Sequence, residues 1–327
     1  MLPIGITKDG AFTLASANPD DYVLRPGQLP EVEDNGTRII WPESAGSSEL
    51  WVSGDGADRS LGNVDVVFPI LHGPFGEDGT IQGMLELFGL PYVGSGVLAS
   101  SLGMDKHFTK TVLQAAGIEV APWRTIKRYD WHKRPQAIRA MAEQMPLPVF
   151  IKPARAGSSV GVGKVSNWDQ FAAAMDTAFL EDDHVLIEAG IVGREVECAV
   201  LQGMPGQPAR ASVAGEIVVS GREFYDFEAK YLGADGIDLV CPAALSADEL
   251  SELQRLSIRA FEAIDGAGLA RVDFFLTEHG FVLNEINTMP GFTPISMFPR
   301  CWQETGVSYP ELIDELIQVA LAHHAED

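Results

Sequence analysis

The sequence predicts a mixed α/β protein, α/β over its first hundred residues and strand-rich α+β beyond, and three observations carry that reading. Short apolar runs ("LPIGIT", "VDVVFPIL", "LPYVG") alternate with a helical stretch after "GEDGTIQGMLELFG", an α/β pattern. "DKHFTKTVLQAAG", residues 105–117, has an acidic start, an apolar face and a glycine stop, which makes an amphipathic helix. Past residue 189 strand-length apolar runs dominate, and "LARVDFFL", "TEHG" and "FVLNEI" read together as a β-hairpin.

The remaining elements follow in chain order. Residues 31–63, rich in Gly, Ser, Asp and Glu, predict loops and edge strands. After a loop at Pro122, "RPQAIRAMAEQM" has helical periodicity and "LPVFIKPA" is a strand. A Gly-Ser loop, the strand "VGVGKVS", a helix opening at "SNWDQFAAAMDTAF" and the strand "HVLIEAGI" come next. "REVECAVLQ" and "ARASVAGEIVVS" are strands, while "SADELSELQRLSIRAFEAIDG" and "YPELIDELIQVALAHH" are helices with an acidic first turn.

Composition narrows the function. A chain of 327 residues has room for two or three domains, and 46% hydrophobic with 21% charged is ordinary for a globular protein. A formal charge of −23 works against nucleic-acid or anionic-membrane partners, which need a basic surface. A phosphate-bearing ligand must then be held by a few placed cations. Cys198, Cys241 and Cys301 are far apart and lack metal-site spacing, so they read as thiols in a reducing compartment. The N-terminus has no secretory pattern and no run reaches membrane-span length, which predicts a cytoplasmic protein.

Chemistry concentrates in a few stretches. In "FVLNEINTMPGFTP", Glu285 and Asn287 alternate onto one strand face beside a turn. A three-residue loop, Glu278 to Gly280 with Gly280 left-handed, would set Asp273 opposite Glu285. Two facing carboxylates repel, so something positive must lie between them, and two carboxylates with an amide suit Mg²⁺ shared with phosphates. A solvated strand end is the alternative. "KPARAGSSVGVGKV", 152–165, could cover phosphates with backbone N–H groups or be a flexible hairpin turn; it is not a P-loop, since Ser158 and Val165 stand where Gly and Ser/Thr would be required. "VGSGVLASS" lacks the acidic residue of a dinucleotide fingerprint and reads as a packing turn. His72 and Glu77 in "LHGPFGEDGTIQG" stand where α/β sheets bind ligands, or are solvated beside an N-cap at Asp78. "GREFYDFEAKY", 221–231, suits a lid over a charged ligand or a hairpin edge.

Taken together, "HGPFGEDGTIQG", "GSGVLASSLGMDK", "KPARAGSSVGV", "FYDFEAKY", "ARVDFF" and "LNEINTMPGFTP" resemble the D-alanine:D-alanine ligase family of the ATP-grasp superfamily, over nearly the whole chain. The resemblance implies a three-domain ATP-grasp architecture: a substrate domain at 1–103, a central subdomain at 104–188 and a metal-bearing subdomain at 189–327. It implies ATP-driven joining of two D-alanines through an acyl phosphate, for peptidoglycan precursor, in a homodimer. Lys106 and Lys152 would hold ATP phosphates with Ser159 in the covering loop, Glu188, Ala189 and Ile191 the adenine, and Glu195 the ribose. Asp273, Glu285 and Asn287 would hold two Mg²⁺ ions, with Mn²⁺ as an alternative. Arg271 would stabilise the oxyanion, Lys230 meet the moving phosphoryl group, and Ser158 join Tyr231 in a hydrogen-bonded set. Ser296, Met297 and Gly291 would take the second substrate, with His72 and Glu77 nearby. Tyr231 resembles the residue of dipeptide-forming members rather than D-lactate users, and Tyr231→Phe is expected to weaken lid closure by ~1 kcal/mol, one hydrogen bond.

The sequence departs from the family in two places. Members carry an upstream strand, loop and helix whose Glu binds the first D-alanine, and no residue here replaces that Glu. The expected N-terminal domain is therefore incomplete, and either an upstream start or a relative without ligase activity follows. Ala156 stands where relatives often have Glu, with little expected consequence.

Overall fold

The structure, a computed structural model, describes residues 1–18, 21, 31–54, 56–157, 160–219, 237–293 and 296–326. Strands β1 (Ile4–Ile6) and β2 (Phe12–Leu14) pair antiparallel, and β3 (Arg38–Ile40), β4 (Glu49–Ser53) and β5 (Arg59–Asn63) form a second antiparallel sheet. In β4 the side chains alternate, Leu50 and Val52 inward and Trp51 outward, and the inward pair closes a small core with Ile39, Phe12 and Trp41. The strands expected in "VDVVFPIL" and "LPYVG" are reduced to a single parallel bridge, Val67↔Tyr92. Pro69 and Pro91 remove ladder donors there, so pairing cannot propagate.

Helix α1 (Thr80–Phe88) ends at left-handed Gly89. The stretch read as a packing turn is a turn at 93–96 followed by α2 (Val97–Met104). The turn does pack: a Cβ on Gly268, φ +64, would lie 2.7 Å from the Gly94 nitrogen. Helix α3 (Lys106–Ala115) starts where Asp105 accepts from the His107 and Phe108 amides, and left-handed Gly117 follows its end.

An antiparallel sheet of order β6-β9-β7-β8 comes next, from β6 (Trp123–Lys127), β7 (Val149–Pro153), β8 (Gly163–Val165) and β9 (His184–Ala189). Helices α4 (Arg128–Lys133), α5 (Pro135–Ala142) and α6 (Phe171–Glu181) cover it, with Trp131, Phe171, Met175 and Ile187 in their shared core. The loop expected at Pro122 is short: β6 pairs with β9 from Trp123↔Glu188 to Lys127↔His184, and α4 follows at once.

The largest sheet has order β12-β11-β10-β13-β14, from β10 (Arg194–Leu201), β11 (Arg210–Val219), β12 (Ile237–Val240), β13 (Leu269–Thr277) and β14 (Gly280–Asn287). Helix α7 (Ala247–Ala263), closed by a Ser246–Glu249 capping box, packs on one face against Val196, Cys198, Val272 and Phe274. Helices α8 (Met297–Thr305) and α9 (Tyr309–His324) pack on the other, against Ala199, Leu201 and Leu269. A parallel bridge, Val120↔Leu283, ties the segment after α3 to β14 and so brings the two sheets to a common cleft.

Candidate active site

The cleft is open to solvent, ≈ 540 Å³ with its solvent-filled mouth included, and has two chemically different walls. Met104, Lys106, Lys110, Ala156 and Gly157 form one, and residues 284–288 of the hairpin form the other, with Glu77 at the rim.

On the hairpin wall, Asp273 does stand opposite Glu285, but for a different reason from the one expected. The loop is two residues, Glu278 and His279, because Gly280 pairs with Thr277. Register then jumps one residue at Asn284, between the Phe274↔Leu283 and Asp273↔Glu285 pairs. That bulge inverts the strand's phase. Phe281, Leu283 and Ile286 all face the α7 core although 283 and 286 differ in parity. Without the bulge, Glu285 would follow Leu283 into apolar packing. Glu197 lies across Asp273 on β10, so a row of three carboxylates, Glu197, Asp273 and Glu285, crosses three adjacent strands.

Such a row is repulsive, and Arg271 supplies the positive charge that the sequence argument required. Its guanidinium grips Asp273 in two bonds of 2.7 Å and lies 3.3 Å from Glu197. Burial disfavours that cation, yet Asp273 and Glu197 outweigh burial and hold its pKa well above the ordinary arginine value. Asn287 donates its Nδ2 to Asp273 Oδ2 at 3.0 Å, so its amide oxygen is oriented away from that bond. Among the described residues no three His, Cys, Asp or Glu side chains converge on one cation position. An oxygen set here therefore needs the Asn287 amide beside Asp273 and Glu285, and all three are hard donors.

On the other wall Lys106 donates to the Ala156 carbonyl at 2.7 Å. Lys152 meets Glu188 Oε1 at 2.5 Å, and Lys110 lies 2.9 Å from Oε2. Lys110 and Glu188 are each 2% exposed, so this is a buried cation–anion–cation triad with one net positive charge. Burial alone would raise the Glu188 carboxyl; Lys152 and Lys110 overcome it and hold the pKa at about 2. Burial also pulls Lys110 below the usual lysine range, against the opposing pull of Glu188.

At the rim, burial pushes the Glu77 carboxyl up to about 7, helped by the Glu285 charge and opposed by the Gly73 N–H that it accepts at 2.5 Å. The alternative of an Asp78 N-cap with Glu77 and His72 solvated holds for exposed His72 alone: Glu77 is desolvated, and the helix cap is Gly79, with Asp78 accepting from Phe75 N and Thr80 N. His72 is open to solvent on one side, and crowding on the other lowers its pKa. Ser296, at the start of α8, accepts from Thr293 N at 3.1 Å and lies where a Cβ on Gly291 would come within 3.0 Å of its Oγ. The Met297 side chain is buried in the core behind it.

Among the expected nucleotide residues, Glu188 spends its carboxylate on the lysines, Ala189 is buried with its N–H on Pro122, and Ile191 lies in the β9–β10 turn. Glu195 shares the strand face of Glu197. Ser158, Ser159, Lys230 and Tyr231 lie outside the described residues. Sequence reasoning passed over Lys110 and Glu197. The signals were present: Lys110 is one helical turn beyond Lys106, and Glu197 is two along from Glu195 in a strand.

Two antiparallel sheets that flank one cleft, with lysines presented by helix α3 and strand β7 and oxygen donors by a hairpin of the second sheet, define the ATP-grasp class. Comparison with known proteins narrows this. The D-ala D-ala ligase C-terminus family matches residues 112–318 and the D-ala D-ala ligase N-terminus family residues 1–95. The chain belongs to the D-ala D-ala ligase family. It is 49% identical over 325 residues to a D-alanine--D-alanine ligase of Pseudarthrobacter chlorophenolicus, covering 98% of this chain and 85% of that protein. A D-alanine--D-alanine ligase of Mycobacterium tuberculosis is 50% identical over 329 residues, covering 98% and 87%. Among solved structures, the VanG D-Ala:D-Ser ligase from Enterococcus faecalis superposes with TM-score 0.82 at 33% identity, covering 98% and 89%. The D-alanine-D-alanine ligase from Coxiella burnetii gives 0.78 at 34%, covering 99% and 84%. No helix among the described residues is long and apolar enough to cross a membrane.

Proposed function

We infer that this chain joins two D-alanines into D-alanyl-D-alanine at the expense of ATP, a step of peptidoglycan precursor synthesis. The observation that supports it most is the cleft itself, which lysines 106 and 110 line together with Glu285 and Asn287. A carboxylate attacking a polyanion meets charge repulsion, and positioned cations offset it. Lys106 and the net positive triad of Lys110, Glu188 and Lys152 bind the phosphates, together with Ser159. The Glu188–Ile191 segment, including Ala189, borders the adenine and Glu195 the ribose. Arg271 stabilises the oxyanion formed when the second amine attacks the acyl phosphate, and Lys230 meets the departing phosphoryl group. Ser158 and Tyr231 complete the hydrogen bonding at the first substrate. Ser296, the Met297 backbone and Gly291 receive the second carboxylate, with His72 and Glu77 beside it.

Asp273, Glu285 and Asn287 suit Mg²⁺, or Mn²⁺, two ions in this reading. Bound there, a divalent cation neutralises phosphate charge as a Lewis acid. Asp273 shares its oxygens with Arg271, so Glu285 and Asn287, which line the cleft, carry the first contact. In this reading the substrate domain spans 1–103 and the two nucleotide-clasping subdomains 104–188 and 189–327, and the protein is a cytoplasmic homodimer.

The test is incubation with ATP, Mg²⁺ and D-alanine, with phosphate release and dipeptide mass measured together. Phosphate release that needs both Mg²⁺ and D-alanine, with D-alanyl-D-alanine formed in preference to D-alanyl-D-serine or D-alanyl-D-lactate, is expected. Nucleotide-dependent stabilisation without dipeptide identifies an ATP-binding relative that lacks ligase activity and overturns the reading.

A further inference from the structure

Cys241 and Cys301 come from distant parts of the sequence yet meet at the edge of the largest sheet. Their Sγ atoms are 3.6 Å apart and share a hydrogen bond. Cys241 closes edge strand β12 and is partly exposed; Cys301 is 1% exposed, inside α8. The third thiol, Cys198, is buried on the α7 side of the sheet and faces backbone carbonyls. The contact between β12 and α8 is otherwise slight, a 3.3 Å bond from Arg300 to the Leu239 carbonyl being one of its polar links.

We propose that Cys241 and Cys301 form a dithiol modification site, at which a small-molecule disulfide closes an intramolecular bond that ties β12 to the helix beginning at Ser296 and Met297. The step balances as thiol–disulfide exchange. The accessible Cys241 thiolate attacks one sulfur of the small disulfide, forming a mixed disulfide and releasing one thiol. Cys301 then gives up its proton and attacks the Cys241 sulfur, releasing the second thiol. Two protein thiols are oxidised and one small disulfide is reduced to two thiols. The sulfurs need to close from 3.6 Å to ~2.05 Å, a shift within reach of side-chain rotation because they already touch. Assignment of attacker and resolver follows from exposure. The Cys301 thiol also lowers the Cys241 pKa by hydrogen bonding, which favours Cys241 as thiolate.

The test uses the full chain, folded, incubated with oxidised glutathione, then denatured, alkylated and mapped by mass spectrometry. One alkyl group, on Cys198, with the peptides of Cys241 and Cys301 linked, is the expected result; reduced protein takes three. In Cys301→Ala a glutathione adduct should persist on Cys241, and in Cys241→Ala no modification should appear. Three alkylated thiols after oxidation, or a stable adduct in the unsubstituted chain, overturns the site. A second arm rests on the proposed ligase reading: in Cys198→Ser, oxidation should raise KM for D-alanine and leave KM for ATP in place, reversibly with dithiothreitol. A crosslink that leaves both constants unchanged overturns the link to α8, whereas absence of ligation in the reduced protein overturns the ligase reading and leaves the dithiol result standing.

Discussion

Glu188→Gln removes the one anion of a buried triad and leaves Lys110 and Lys152 facing each other. Breaking a buried ion pair by removing one partner costs about 3–5 kcal/mol. Linkage gives a similar figure independently: a carboxyl held at about 2 instead of its ordinary 4.5 contributes about 3 kcal/mol. The sign fixes the pH window. A lowered carboxyl pKa stabilises above pH 4.5, and that stability is lost as pH falls through about 2, so the gap between variant and parent should be full at pH 7 and narrow below 4.5. The lysines give a second signature. With its counter-charge gone, Lys110 falls further below the usual range, and a lysine so lowered makes stability rise with pH. The variant should therefore recover more steeply, and from a lower pH, than the parent on going alkaline. Urea unfolding across pH 2 to 9, with Lys110→Met and the double variant to complete a cycle, measures both. A loss under 1 kcal/mol at pH 7, or additive single effects, would show that the three groups do not act as a unit.

Glu77 should show the opposite slope. Its pKa of about 7 means that the folded state holds the proton between pH 4.5 and 7, so stability falls as pH rises through that window. Glu77→Gln should match the parent below pH 4.5 and exceed it above 7, by less than about 3 kcal/mol since the group keeps some solvent. Glu285→Gln should lower metal-dependent phosphate release on the order of 10²-fold while nucleotide still protects against unfolding; full activity in that variant removes Glu285 from the cation set. Gly215→Ala sets a methyl 2.2 Å from the Met297 sulfur, and crowding α8 against β11 should cost about 1–3 kcal/mol and weaken D-alanine binding more than ATP binding. An unchanged midpoint in chemical denaturation would show that α8 shifts freely.

Much of the site was legible because its chemistry repeats with the period of its elements. Glu285 and Asn287 follow from alternation and Asp273 from the expected hairpin, whereas Lys106 and Lys152 follow from the family resemblance. The opposition of Asp273 and Glu285 came out right through two errors that cancelled. The loop is one residue shorter than expected and the bulge at Asn284 restores the count. A bulge carries no local composition signal here, since its reason is tertiary: Leu283 and Ile286 must both reach the α7 core. Lys110 was missed because a lysine on a helix is ordinarily solvated, and only the approach of β9 makes it a buried partner. The lost strands around Val67 and Tyr92 show apolar content outvoting proline in the reading, and proline prevailing in the backbone.

Placing the bulge between the hairpin tip and the acidic row has a practical result. The tip residues Glu278 and His279 are more than four-fifths exposed, while Val272 and Ile286 anchor the register on the far side of Asn284. The distal arm is mechanically insulated from the chemistry. A fluorophore or a short inserted peptide at the tip should leave the acidic row undisturbed, which makes this the natural attachment point for single-molecule measurements.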